Sequence, residues 1–287
     1  MESEKTFIVA GGDLRQIYLA ERLSGFYNVI ITGFDKCSDV SDILISETDD
    51  NIADGIIFPL PVSADGKTVN APFSAEILLI SDFIPKLKKN SAVYGGMFSS
   101  ETADIFSVPV YDYSEREEFS VINAEATAEG ALRTALEISD ETIFRSRILI
   151  TGFGRIAKAL ARILLVMGAD VTVSARKKSD IAWAEIYGCK AADISKLADI
   201  AGSYDIIFNT VPALIFSSNV IDNISKKAVI IDLASKPGGT DFGYASETGV
   251  RAVLASGLPG KMFPVTAGYT AADTLINMIN ERRTGFD

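Results

Sequence analysis

Short unbroken apolar runs alternate along this chain with longer stretches whose apolar positions recur at helical spacing. Phe7–Ala10, Val29–Thr32, Gly55–Phe58, Ala92–Tyr94 and Val108–Tyr111 read as strands in the first part. Ile148–Thr151, Val171–Ser174, Asp205–Asn209, Ala228–Leu233 and Val250–Ala255 read the same way in the second. Helices are expected after Gly11–Gly12 to about Leu23, from about Ser99, from Asn123 to Ser139, and after Gly152–Gly154 up to Gly168. Others are expected near Ile181–Tyr187, at Ile194–Ala201 and over Pro264–Ile279. Strands buried on both faces and separated by helices predict parallel sheets covered on each side.

The fold class is therefore α/β: two Rossmann-like domains with parallel sheets, separated by a cleft and bridged by long helices. The expected division is 1–118, a bridging helix at 119–141, a nucleotide-binding domain at 142–263, and a C-terminal helix at 264–287 returning toward the first domain. The polar run Asp112–Glu118 reads as a boundary. Gly130 sits inside the bridging helix, where glycine costs about 1 kcal/mol relative to alanine, so close packing is expected there.

Two strand–turn–helix–strand units stand out. In the second, Gly152-Phe153-Gly154-Arg155-Ile156-Ala157 follows a strand and opens a helix, the context that gives a G-x-G-x-x-A match its force. The first glycine makes the tight turn, the second lets backbone approach a pyrophosphate, and the small third residue allows helix and strand to pack. The helix N-terminus offers N–H groups and a positive dipole end to phosphate. Gly152, Phe153, Gly154, Arg155 and Ile156 are thus cofactor-binding candidates. In the first unit, Gly11 and Asp35 stand as far apart as Gly152 and Arg176. Its turn lacks a second glycine placed for phosphate approach, so Asp13 is read as a helix cap and Arg15 as a cation directed into the cleft.

The second strand of the nucleotide unit bears on the preferred dinucleotide. An NAD site carries an acid there for the ribose 2′-OH. Here the run is Ser174-Ala175-Arg176-Lys177-Lys178, without an acid. Ser174, Arg176 and Lys177 suit a 2′-phosphate, which favours NADP over NAD. The alternative is a solvated basic loop.

Composition narrows the chemistry. The chain has 287 residues, 48% of them hydrophobic and 23% charged, enough for proper cores. No apolar run approaches the roughly 20 residues that span a bilayer. The start has no signal-peptide layout, so a cytoplasmic protein is expected. Two cysteines, Cys37 and Cys189, are too few for a disulfide framework or zinc site, and no metal is expected. A net charge of −11 disfavours nucleic acid, and no membrane partner is expected. With no histidine in the chain, Ser-His-Asp hydrolysis and the histidine relay of lactate-type dehydrogenases are excluded.

GGDLRQ at 11–16, PVSADG at 61–66, NTVP at 209–212, DLASKPGGTDF at 232–242 and GLPGK at 257–261 resemble the dipicolinate synthase A subunit. So does the T-x-E-G of Thr127–Gly130, and the likeness covers nearly the whole chain. The resemblance implies an oxidoreductase of endospore formation, located in the mother-cell cytoplasm. Its reaction oxidises a dihydrodipicolinate-type ring to dipicolinate with NADP, beside a flavoprotein-like B subunit. A homo-oligomer or hetero-oligomer is expected. The substrate-binding candidates for a small dicarboxylate are Arg15, Ser63, Asn123, Thr127, Ser235, Lys236, Gly238 and Gly239. Thr210, Val211 and Pro212 are placed beside the nicotinamide, and either Lys236 or a water takes the ring proton. A non-catalytic NADP-binding regulatory protein is the alternative, motivated by the lack of an evident acid or base.

Overall fold

In a computed structural model the described residues are 5–37 and 52–284. The chain's first four residues, on which the reading of a missing leader bears, lie outside them, as do the last three of the expected C-terminal segment. The chain divides into two compact units, Met1–Asn123 with Phe263–Asp287, and Ala124–Met262.

The first unit runs β1 (Thr6–Ala10), α1 (Leu14–Ser24), β2 (Asn28–Thr32), β3 (Ala53–Ile57), β4 (Leu87–Gly95), α2 (Ser100–Ala103) and β5 (Val110–Asp112). Helix α3 (Glu117–Ile138) then carries the chain into the second unit. There follow β6 (Arg147–Thr151), α4 (Arg155–Val166), β7 (Asp170–Ala175), α5 (Lys178–Ile186), β8 (Lys190–Asp193), α6 (Leu197–Ile200) and β9 (Ile206–Asn209). The unit ends with α7 (Ser218–Ile221), β10 (Val229–Asp232), α8 (Phe242–Thr248), β11 (Arg251–Leu254) and α9 (Leu258–Met262). The last helix, α10 (Pro264–Thr284), belongs to the first unit.

Every strand pairing in both sheets is parallel. The first sheet has the order β2-β1-β3-β4-β5 and the second β11-β10-β9-β6-β7-β8. In the second, the order reverses between β6 and β9, the point at which open α/β sheets bind ligands beyond their strand ends. Alternation along β6 explains the layering: Ile148 and Ile150 join a core with Ala128, Ala131 and Leu160, while Leu149 joins Leu197, Phe216 and Ile230 on the opposite face. In the first unit Phe7 and Val9 pack with Leu19 and Leu275, and Ile8 and Ala10 with Ile56 and Phe58.

Two helix contacts depend on glycine. A Cβ on Gly130 of α3 would lie 2.9 Å from Leu258 Cβ, so the expected close packing is found there. On α10, a Cβ at Gly268 would lie 2.4 Å from the Arg15 carbonyl oxygen, so α10 lays its backbone directly on α1.

Some boundaries differ from the sequence reading. Helix α3 starts at Glu117, not Asn123, because Glu117 and Glu118 favour a helix N-terminus rather than marking a break. Within the supposed polar boundary, Tyr113 is fully buried and Arg116 is gripped by Glu118 and Glu281. Strand β8 is an addition to the expected elements: its four residues, KAAD, form an edge strand without an apolar run. No helix among the described residues is long and apolar enough to cross a membrane.

Candidate functional site

In the second unit the glycine turn joins β6 to α4. Gly152 has φ +81°, and a Cβ there would fall 2.7 Å from Thr210 Oγ1, so only glycine fits. Gly154 precedes α4 without a side-chain cap, the first turn carries no acid, and nothing lies within 4 Å of a Cβ built on it. The helix start thus has no side-chain cap and the space beside Gly154 is open, as phosphate binding requires. Ala157 is fully buried beneath, so helix and strand meet closely.

Beside this turn is a pocket of about 550 Å³, lined by Gly152, Ala175, Arg176, Lys177, Val211 and Leu197 among others. Ala175 ends β7 at its floor. Arg176 and Lys177 are exposed and make no ion pair among the described residues, whereas Lys178 is paired with Asp193 at 2.8 Å. Asp180 is an acid in the lining.

A buried polar chain ties the ends of β6, β9 and β10 together. Thr151 Oγ1 donates to Asn209 Oδ1 at 2.7 Å, and Asn209 Nδ2 donates to Asp232 Oδ1 at 2.9 Å. Asp232 also accepts from Ala234 N–H at 3.1 Å, Gly239 N–H at 2.8 Å and Thr240 Oγ1 at 2.7 Å. Thr210 Oγ1 donates to the Thr151 carbonyl at 2.7 Å, which fixes the Thr210–Val211 backbone against the glycine turn. These bonds hold the strand ends in one arrangement without a ligand, as preorganisation demands.

The predicted cofactor residues fall into two groups. Gly152, Arg176, Lys177 and Val211 line the pocket, and Thr210 stands behind it. Phe153 is buried edge-on against Tyr187, so it offers only its backbone. Arg155, Ile156 and Pro212 do not line the pocket; Ile156 packs on the core and Arg155 and Pro212 are exposed. Ser174 is fully buried with an unpartnered hydroxyl and is absent from the lining, so the cationic end of the pocket consists of Arg176 and Lys177.

Among the substrate candidates of this unit, Ser235 and Lys236 are exposed after β10, and Thr127 is buried on α3. Gly238 and Gly239, also substrate candidates, sit in the turn after Pro237. Both are buried, Gly238 N–H donates to Ser235, Gly239 N–H to Asp232, and the Gly239 carbonyl accepts from Ile215 and Phe216. Three of their four backbone polar groups are thus taken up by the fold.

In the first unit the turn at Gly11–Gly12 is filled. A Cβ on Gly11 would lie 2.8 Å from Ala71 Cβ, and the Asp13 carboxylate caps α1, accepting from Arg15 N–H at 3.0 Å. An acid at the helix end leaves no place for a phosphate. Arg15 is held by two partners: Nε and Nη2 donate to the Asp13 carboxylate at 2.9 and 2.8 Å, and Nη2 donates to the Leu60 carbonyl at 2.7 Å. Burial pulls its pKa down, but the Asp13 bond and charge outweigh it and the net shift is upward. Arg15 and Asn123 line one small crevice of about 10 Å³ with Gln16, Leu60 and Tyr113. Burial pushes the Tyr113 phenol well above its ordinary range, against the pull of Arg15.

Ser63 is not in that crevice. It belongs to a separate pocket of about 300 Å³ with Asp65, Met97 and Glu101. Its hydroxyl donates to Asp65 at 3.0 Å and accepts from Gly66 N–H at 2.9 Å. That hydroxyl shapes its own turn, in a pocket apart from Arg15 and Asn123. Among the described residues no group of three metal-ligating side chains is assembled.

Comparison with known proteins bears on both units. Residues 6–112 match the model for the N-terminal domain of the dipicolinate synthase A subunit. One curated relative, the dipicolinate synthase A subunit of Bacillus subtilis (strain 168), is 30% identical over 95% of this chain and 95% of its own length. The chain belongs to the dipicolinate synthase A-subunit family. The crystal structure of the Bacillus halodurans A subunit is 33% identical, with TM-score 0.86 over 96% of this chain and 97% of that one. The dipicolinate synthase A chain from Bacillus subtilis gives 28% identity and TM-score 0.88 over 99% of each. Residues 119–235 match the NAD binding domain of D-isomer specific 2-hydroxyacid dehydrogenases, so this member of the family carries a dehydrogenase-type nicotinamide dinucleotide domain. A transhydrogenase from Sinorhizobium meliloti, at 15% identity and TM-score 0.67 over 95% of this chain and 93% of that one, shares the fold alone.

Proposed function

We propose that this chain oxidises a dihydrodipicolinate-type ring to pyridine-2,6-dicarboxylate with NADP, as the A subunit of a synthase acting with a flavoprotein-like B subunit. The setting inferred from the family is the mother-cell cytoplasm during endospore formation. The observation that carries the NADP reading is the end of β7. Ala175 stands there without an acid, and Arg176 and Lys177, with no ion pair among the described residues, line the pocket. A 2′-phosphate bears about two negative charges and gains charge-assisted bonds from such cations. The ribose 2′-OH of NAD finds no carboxylate.

The uncapped start of α4 and the open space beside Gly154 suit the pyrophosphate. Bound NADP supplies the hydride acceptor. A hydride leaves a ring carbon, a proton leaves the ring to water, and the ring becomes aromatic, so product stability drives much of the step. The protein's part is chiefly positioning, which tolerates a chain without histidine. In the first unit Arg15 and Asn123 are the residues for a substrate carboxylate. In the second, Ser235 and Lys236 are the exposed candidates. An ammonium carries donors only, so we assign Lys236 to a carboxylate and the ring proton to solvent.

The test is turnover of the ring substrate by the purified chain with NADP against NAD, repeated in Arg176→Asp. No turnover with either dinucleotide would instead favour a regulatory protein that binds NADP without chemistry.

A further inference from the structure

The 2′-phosphate of NADP and its adenine are carried by neighbouring carbons of one ribose. If Arg176 and Lys177 hold that phosphate, the base must lie close to them, in the same pocket. The space is there: the pocket has about 550 Å³, within the range of about 300–1,000 Å³ usual for small-molecule sites. Beyond the cations its lining is largely apolar. Ile194, Leu197, Ile215 and Val220 come from the segments that follow β8 and β9. Such side chains suit the faces of a flat base, but they cannot read its edge.

Three polar side chains besides the cations line the pocket: Asp180, Ser195 and Asn219. The Ser195 hydroxyl donates to Asp193 at 2.9 Å, so it is committed to its own turn. Asp180 lies in the first turn of α5, where an acid favours the helix. As a carboxylate it only accepts, so it can meet the amino group of adenine but not a ring nitrogen. Asn219 is on α7, a different segment from the cations. Its amide both donates and accepts, and adenine presents the matching pair on one edge, the 6-amino donor beside the N7 acceptor.

We infer that Asn219 reads the adenine edge of the dinucleotide, its Oδ1 accepting from the 6-amino group and its Nδ2 donating to N7. This rests on the NADP reading of the proposed function and extends it from the phosphate to the base. Asn219 is exposed, and the bond that Asn223 Nδ2 makes to it at 2.8 Å goes to its backbone carbonyl, so removing the side chain spares that bond.

The experiment is calorimetric titration of the full chain, parent and Asn219→Ala, with NADP, NAD and deamino-NADP, in which an oxygen replaces the 6-amino group. Melting temperatures without dinucleotide are recorded alongside. The parent is expected to bind NADP about tenfold more tightly than deamino-NADP, because the amide oxygen then faces an oxygen. Asn219→Ala should melt with the parent and bind both dinucleotides alike, its loss of affinity falling on NADP. Equal affinity of the parent for NADP and deamino-NADP overturns the inference, a comparison that needs no variant. So does an Asn219→Ala chain that keeps the parent's discrimination, or one that loses affinity for both dinucleotides equally. In each of these cases a preference of the parent for NADP over NAD leaves the 2′-phosphate reading standing. If the parent shows no such preference, that reading falls and this inference with it.

Discussion

Removing the Asp232 carboxylate should unfold the second unit at much lower denaturant, by an amount that the hydrogen bonds around it allow to be worked out. Asp232 is fully buried and accepts four bonds, from Asn209 Nδ2, Ala234 N–H, Gly239 N–H and Thr240 Oγ1. In Asp232→Ala two of the four donors can recover. Asn209 Nδ2 keeps the Val211 carbonyl at 3.1 Å, and the Thr240 hydroxyl rotates. The backbone N–H groups of Ala234 and Gly239 cannot, and each buried unmet donor costs about 1–3 kcal/mol, giving a loss of about 2–6 kcal/mol. Asp232→Asn keeps one oxygen for Asn209 and Ala234 but turns its NH₂ toward the Gly239 N–H, so only one fixed donor is stranded, at about 1–3 kcal/mol. Against a typical total of about 5–15 kcal/mol both losses are measurable. Trp183 is the one tryptophan in the chain and lies in the second unit, so its fluorescence in a urea titration reports that unit alone. A loss of less than about 1 kcal/mol in Asp232→Ala, or a greater loss in Asp232→Asn than in Asp232→Ala, would contradict this role for Asp232.

Two further outcomes follow from local geometry. Gly152→Ala should lose dinucleotide binding in a titration and also melt lower, by about 1–2 kcal/mol for a left-handed alanine, since its Cβ would meet Thr210 Oγ1 at 2.7 Å. Burial pushes the Cys189 thiol up to about 11, so Ellman's reagent at mildly alkaline pH should titrate the half-exposed Cys37 first; equal rates would contradict this. Because that folded value is raised, its contribution to stability is whole below the unfolded thiol value of about 8.5 and is lost as pH rises toward about 11.

Much of this architecture is legible in the sequence because parallel strands buried on both faces leave continuous apolar runs, and because G-x-G-x-x-A has one strong structural context. The end of β7 is legible for the same reason: Ala175, Arg176 and Lys177 occupy positions fixed by the motif before them. Strand β8 is not, since an edge strand of four residues is held by pairing with β7 rather than by its own hydrophobicity. The polar half of β4, Lys88–Asn90, is exposed and leaves the strand looking short. Gly239 reads as a ligand contact because the bond of its N–H to the Asp232 carboxylate is made only by the fold. The burial of Gln16 gives no signal either, since a glutamine on an amphipathic helix looks like surface until the helix rotation is known. The pairing of Arg15 with Asp13, two residues away, is likewise hidden until the turn before α1 has a shape.

We propose that the pocket beside Gly152 selects a 2′-phosphate through Arg176 and Lys177. The most direct measurement is the ratio of kcat/KM for NADP over NAD in the parent chain and in Arg176→Asp, with the ring substrate saturating. A lost charge-assisted bond is worth about tenfold or more, so the parent should favour NADP by at least that factor, and Arg176→Asp should bring the ratio below one. A parent that favours NAD, or an Arg176→Asp chain with the parent's ratio, would contradict the account.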